Sequence, residues 1–148
     1  MKQLFFEDLI LGETYVSPSI TMTPTHAIMF GAITGDHHPL HNDVEYCKAH
    51  GWPERVVHGS LNASMTTIGS SPLAHQLHES VIVFLEQSTR FLKPVFLGDT
   101  VAASHRISDL IPKQGKGVLK VASTLRNQRN EVVAEGEQVF LVRKRLPE

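Results

Sequence analysis

A single cysteine, Cys47, stands in this chain of 148 residues, so no internal disulfide can form. It reads as a small packed side chain. An excess of either charge is missing as well. The formal net charge is −1, and acids and bases are spread along the chain, which favours neither nucleic acid nor an anionic membrane surface as a partner. No apolar run approaches the roughly 20 residues that a membrane-spanning helix needs. Glu7 and Asp8 cut the opening apolar stretch too short for a secretory leader, so the expectation is a cytosolic protein. Internal repeats, low-complexity segments and linkers are absent. So are a phosphate loop, a dinucleotide fingerprint and a Gly-x-Ser-x-Gly elbow; Gly115-Lys116-Gly117 is an ordinary turn. What remains is 41% apolar and 20% charged, the composition of one globular domain over residues 1–148, large enough to bury a core.

The pattern divides into a helical first half and a strand-rich second half, which predicts an α+β fold. Thr23-Pro24 predicts a helix start, Ile28, Met29, Ala32 and Ile33 recur at helical spacing, and Gly35 is the expected stop. A second helix is predicted from Asn42, with Asn42 and Glu45 at capping-box spacing, ending at Gly51 and Pro53. A long segment from Gly59 to about Leu77 follows, its later half made irregular by Gly69, Ser70, Ser71 and Pro72. From Ser80 the period changes to two. Val81, Val83 and Leu85 read as part of a mostly buried strand, and alternating strands follow around Val101–Ile107, Leu119–Leu125 and Val132–Val142.

The stretch Thr34-Gly35-Asp36-His37-His38-Pro39-Leu40-His41-Asn42-Asp43 carries the chemistry. Asp36 and His41 stand five residues apart across a proline. An imidazole titrates near pH ~6.5 and so exchanges protons at cellular pH. With Asn42 as a cap, His41 is expected at the positive end of a helix, which favours the neutral base. An acid and a base folded onto one water suit adding that water across a double bond, or removing it. A polar turn with a purely structural aspartate is the competing reading. His37, His38, His41 and Asp36 also have atoms that ligate metals, but no second cluster at ligand spacing follows, and no metal is expected. Position 42 is Asn, so the His-His-x-x-x-Asp signature of CoA-dependent acyltransferases is not met. Downstream, Gly59 opens a helical segment where an unpaired backbone N–H can meet a thioester oxygen as it gains negative charge. Close packing or a turn explains the same glycine equally well. His58 reads as structural, a capping or core hydrogen bond.

Gly35-Asp36-His37-His38-Pro39-Leu40-His41-Asn42-Asp43 resembles the Gly-Asp-x-Asn-Pro-x-His-x-Asp motif of the MaoC-like dehydratases, the group that contains (R)-specific enoyl-CoA hydratases. His58-Gly59, the opening Phe5–Glu13 and the segment Phe91–Val101 resemble that family in the same order, so the likeness spans nearly the whole chain. The resemblance implies a hot-dog fold, an antiparallel sheet wrapped around a long central helix, and a homodimer joined sheet edge to sheet edge. It implies Asp36 and His41 as the catalytic pair acting on an acyl-CoA substrate, the Gly59 amide as a substrate-binding donor, and a Thr67 hydroxyl near the site. No metal or redox cofactor is implied. His38 stands where the family usually has Asn; if it faces the site, its charge repels a charged His41. A hot-dog acyl-CoA thioesterase and a non-catalytic acyl-thioester binding module are the alternative functions.

Overall fold

The computed structural model describes residues 1–145. Two short strands that the period of the sequence did not mark, β1 (Thr14–Val16) and β2 (Ile20–Thr21), precede four long ones: β3 (Val81–Phe91), β4 (Thr100–Lys113), β5 (Lys116–Arg126) and β6 (Val132–Arg143). All pair antiparallel in the order β1-β4-β5-β6-β3, with β2 also on β4. Strict alternation along β5 buries Leu119, Val121, Ser123 and Leu125 on one face, as the period of two demands.

That face carries two apolar clusters. Ile107, Leu119, Val121, Phe140 and Val142 pack against Ile68, Leu73 and Leu77 at one end. Val101, Ala103, Leu125, Val133 and Ala134 pack against Met22, Ala27 and Val57 at the other. Between them in sequence on each strand lies a polar residue: His105 on β4, Ser123 on β5 and Gln138 on β6, all buried. Burial of these side chains is tolerated because they bond to one another, as described below.

Helix α1 (Pro24–Thr34) has Thr23 as N-cap and ends at Gly35, whose φ of 77° is the left-handed turn a glycine adopts without strain. The structure departs from expectation in four places. First, the apolar stripe of α1 points away from the core: Ile28, Met29 and Ile33 are exposed, while Ala27 and Gly31 are the buried residues. Second, the cap expected at Asn42 belongs to Asp43, whose Oδ1 accepts from the Glu45 and Tyr46 amides and starts α3 (Val44–Ala49). A carboxylate accepting two N–H groups is the stronger cap. Pro39 opens a separate turn, α2 (Pro39–Asn42), so His41 lies in the last turn of a short helix and not ahead of one. Third, the irregularity expected around Gly69–Pro72 goes as far as a break in the long central helix that the resemblance implies, leaving α4 (Gly59–Met65), a tight turn at Ile68–Ser70 and α5 (Pro72–Gln76). The Thr66 and Thr67 hydroxyls donate to the Ala63 and Ser64 carbonyls, and Pro72 has no N–H to continue the ladder. Fourth, β3 is not buried. Among the described residues it is a terminal strand bonded only to β6, and Val81 through Leu85 are all exposed, on both faces.

No helix among the described residues is long and apolar enough to cross a membrane.

Candidate active site

The left-handed turn at Gly35 sends the chain back across the end of α1. Gly31 permits the return, because a β-carbon there would lie 3.2 Å from both the Asp36 carbonyl oxygen and His37 Nδ1. Asp36, His37 and His38 then run to Pro39, and the single turn of α2 carries His41 round to face Asp36. His41 Nε2 lies 3.9 Å from Asp36 Oδ2, beyond a direct hydrogen bond but within the span of one shared water. The other carboxylate oxygen, Oδ1, accepts from the His38 amide at 3.3 Å.

The proton on His41 is placed by its surroundings. His41 Nδ1 is 2.6 Å from the Val56 carbonyl oxygen, which can only accept, so Nδ1 carries the hydrogen. In the neutral ring Nε2 is therefore the free base, and it is the atom turned to Asp36. The same strap is tied twice, since the Val56 amide donates to the Leu40 carbonyl at 3.0 Å. The His41 side chain is 11% exposed and that of Asp36 is 50% exposed, so the base is sheltered and the acid meets solvent.

His41 and Gly59 line one cleft of about 390 Å³ with Val56, Asn62, Phe91 and Pro94 among its walls. The Gly59 amide has no acceptor among the described residues. A β-carbon at 59 would meet the Phe91 ring at an ordinary 3.7 Å, so packing inside this chain does not require a glycine there. This weighs against the close-packing reading and for a backbone that a ligand approaches. A cleft of about 430 Å³ beside β2 and the β5–β6 turn holds no carboxylate or imidazole.

Two residues expected at the site stand elsewhere. Thr67 Oγ donates to the Ser64 carbonyl at 2.7 Å and lines a separate cleft with Pro18, Ile20 and Met65. It is not among the walls of the cleft that His41 and Gly59 line. His38 is the N-cap of α2, its Nδ1 accepting from the Leu40 amide at 3.1 Å. Its ring lies 6.2 Å from that of His41 and is not among the cleft walls. An Asn side chain has the acceptor needed for the same bond. His38→Asn is therefore expected to keep the melting temperature close to wild type, whereas His38→Ala loses about 1 kcal/mol of stability; thermal denaturation checks both.

His58 makes the core hydrogen bond expected of it, but spacing gave no sign that its ring lies against the pair. It is 1% exposed, its ring stacks on His41 at a centroid distance of 3.8 Å, and its Nε2 lies 3.0 Å from the Asp36 carbonyl oxygen. Asp36, His41 and His58 thus bring three potential metal-ligand atoms within 4.8 Å of one another. The two rings are stacked with an inclination of only 24°, so their lone pairs lie in separate, nearly parallel planes, and His58 Nε2 is already engaged by the Asp36 carbonyl. The donor set fits a metal poorly.

A family model described as the MaoC-like domain matches residues 7–129. The chain belongs to the MaoC-like family. Among its MaoC-like relatives, it is 28% identical over 138 residues to an (R)-specific enoyl-CoA hydratase of Rhodospirillum rubrum, covering 93% of this chain and 91% of that one. It is 28% identical over 145 residues to a 3-hydroxybutyryl-CoA dehydratase of Methylorubrum extorquens, covering 98% and 88%. Among solved structures it superposes with a TM-score of 0.89, at 32% identity and with 99% and 98% coverage, on a protein of Archaeoglobus fulgidus described as a monoamine oxidase regulatory protein. The (R)-hydratase of A. caviae matches with a TM-score of 0.77 at 27% identity, covering 95% and 99%. The α+β architecture described above is the hot-dog fold of these MaoC-like proteins, with its central helix interrupted.

Proposed function

We propose that this MaoC-like protein is a lyase that adds water across the double bond of a 2-enoyl-CoA to give a 3-hydroxyacyl-CoA, or runs the reverse dehydration. The observation that carries the proposal is the free His41 Nε2 facing Asp36 Oδ2 across 3.9 Å, beside a cleft with an unpaired Gly59 amide. A water between the pair donates to His41 and is held by Asp36. The thioester carbonyl accepts from the Gly59 N–H, which draws electrons from C3 and stabilises the enolate that forms as the water oxygen bonds there. His41 takes one proton of the water as its oxygen bonds to C3, that proton passes on to Asp36, and Asp36 delivers it to C2, so the H and OH of a single water end on C2 and C3 and both groups return to their starting states. The step uses no metal or redox cofactor, and the hydratase and dehydratase relatives support the reaction class.

Crotonyl-CoA and longer, branched and dicarboxylic enoyl-CoA esters are the substrates to test. The expected result is loss of enoyl absorbance without release of CoA thiol, undiminished by a chelator. Thiol release would replace the reading with a thioesterase, and saturable binding without turnover would replace it with a binding module.

The open edge of β3 calls for a partner strand, since an exposed apolar edge invites pairing. A second copy of this chain is the occupant the family resemblance implies. Sedimentation is expected to give a dimer, and Val83→Lys on that edge is expected to shift it toward monomer.

A further inference from the structure

We propose that His58 is a positioning residue that fixes both halves of the acid–imidazole pair at once: its Nε2–H holds the main chain of Asp36, and its ring face backs His41. This rests on the Asp36–His41 reading above and extends it to a buried group that the reaction does not touch.

The Asp36 carbonyl accepts from His58 Nε2 at 3.0 Å. The other hydrogen bonds of Asp36 are both 3.3 Å long and stay within residues 34–38, so among the described residues His58 is the hydrogen-bonded tie from Asp36 to the rest of the fold. A carbonyl oxygen only accepts, so Nε2 carries a hydrogen and the neutral ring keeps its lone pair on Nδ1. That Nδ1 is buried and has no partner among the described residues. A proton added there would face no acceptor among the described residues.

An unpaired buried acceptor is a standing cost that a phenyl ring in the same space would avoid. The two contacts of His58 account for keeping it. Its ring is stacked on His41 at a centroid distance of 3.8 Å and lies tilted against Phe30 at 5.0 Å. When His41 takes the proton of the attacking water, its new charge lies against a neutral aromatic face, an attractive arrangement. A charged His58 would repel it instead. The titratable groups around this stack are Asp36 on the linker, with His37 packed at Gly31, and His41 and His38 on α2, with Tyr46 of α3 against the outer side of His38.

Two variants of the full chain separate the contacts. His58→Gln keeps a donor for the Asp36 carbonyl and removes the ring; His58→Phe keeps a ring and removes the donor. For crotonyl-CoA hydration, each is expected to lower kcat by roughly 10- to 100-fold with KM little changed, the size of effect that a displaced catalytic group produces. His58→Gln should also move the acid limb of the kcat/KM profile to lower pH, because charged His41 loses its supporting face. His58→Phe should leave that limb in place. Folded variants with wild-type kcat and an unmoved limb would overturn the proposal. Where a variant does not fold, 15N NMR of the wild-type rings decides: His58 staying neutral and protonated at Nε2 while His41 titrates supports it, and both rings charging together overturns it. Asp36→Asn, run alongside, separates the two claims. Full activity in Asp36→Asn defeats the acid–imidazole reading itself, while an inactive Asp36→Asn beside fully active His58 variants defeats only the role given to His58.

Discussion

Asp36→Asn and His41→Gln are each expected to lower kcat for enoyl-CoA hydration by roughly 1,000-fold, within the range a single positioned acid or base supplies. Asn at 36 keeps the oxygen that accepts from the His38 amide but can neither take nor return a proton at the position of Oδ2. Gln at 41 has no group that accepts a proton at neutral pH. KM should change little for both, since the loss falls on the transition state and not on the bound thioester. The double variant is expected to be no worse than the poorer single one, because the two groups act on one water as a unit. Asp36 is half exposed, and Gln at 41 keeps a side-chain N–H for the Val56 carbonyl, so circular dichroism and thermal melts should show both single variants folded. Wild-type turnover in either purified variant would falsify the assignment. Replacing Gly59 offers no comparable test, because a side chain there leaves the backbone N–H in place.

The parts of this fold that were legible in the sequence are those decided within a few residues. Thr23, Pro24 and Gly35 bound α1 because capping and the left-handed turn are local. The alternation in β4, β5 and β6 was visible because one face of each is buried. Where an apolar face has no partner in its own chain, the pattern misleads. Ile28, Met29 and Ile33 have the spacing of a core stripe and lie outside, and the run from Val81 to Leu85 has the composition of a central strand and lies at an edge. Periodicity records that a side chain is apolar, not which molecule covers it. β1 and β2, at three and two residues, are too short to show a period at all.

For the site, spacing puts Asp36 and His41 on either side of a turn, where the structure also has them, but the helix start expected next to His41 is not there. Asp43 and not Asn42 caps the following helix, so the tautomer of His41 comes from the Val56 carbonyl, fifteen residues away. A backbone carbonyl has no signature in a sequence. The ring of His58 could be named from its place before Gly59, but its contact with His41 exists only once the strap from Val56 to His58 closes over α2.

Lowering the pH from 8 to 4 is expected to cost the wild-type protein roughly 3 kcal/mol of stability through one group outside the site, His105. This imidazole is fully buried between the two apolar clusters, and burial pushes its pKa down to about 4 from an ordinary 6.5. Both of its nitrogens are satisfied in the neutral form. Ser123 donates its hydroxyl to Gln138 Oε1 at 2.8 Å and therefore accepts from His105 Nδ1–H at 2.8 Å; Ser17 then donates to Nε2 at 2.9 Å. A second proton would face the Ser17 hydroxyl and put an unpaired charge in the middle of the sheet. Between pH 6.5 and 4 the unfolded chain carries that proton and the folded one does not, so stability rises with pH across this window. Above it the contribution of His105 is constant. Carboxylates held low by their partners, such as Asp8 beside the Phe5 amide and Arg145, also lose stability as the pH falls, but they are common to both proteins when wild type is compared with His105→Gln. The variant loses packing at every pH, and its deficit relative to wild type should shrink by about 3 kcal/mol between pH 8 and pH 4 in urea titrations. A deficit that stays constant over that range would mean that His105 is not the buried group that titrates.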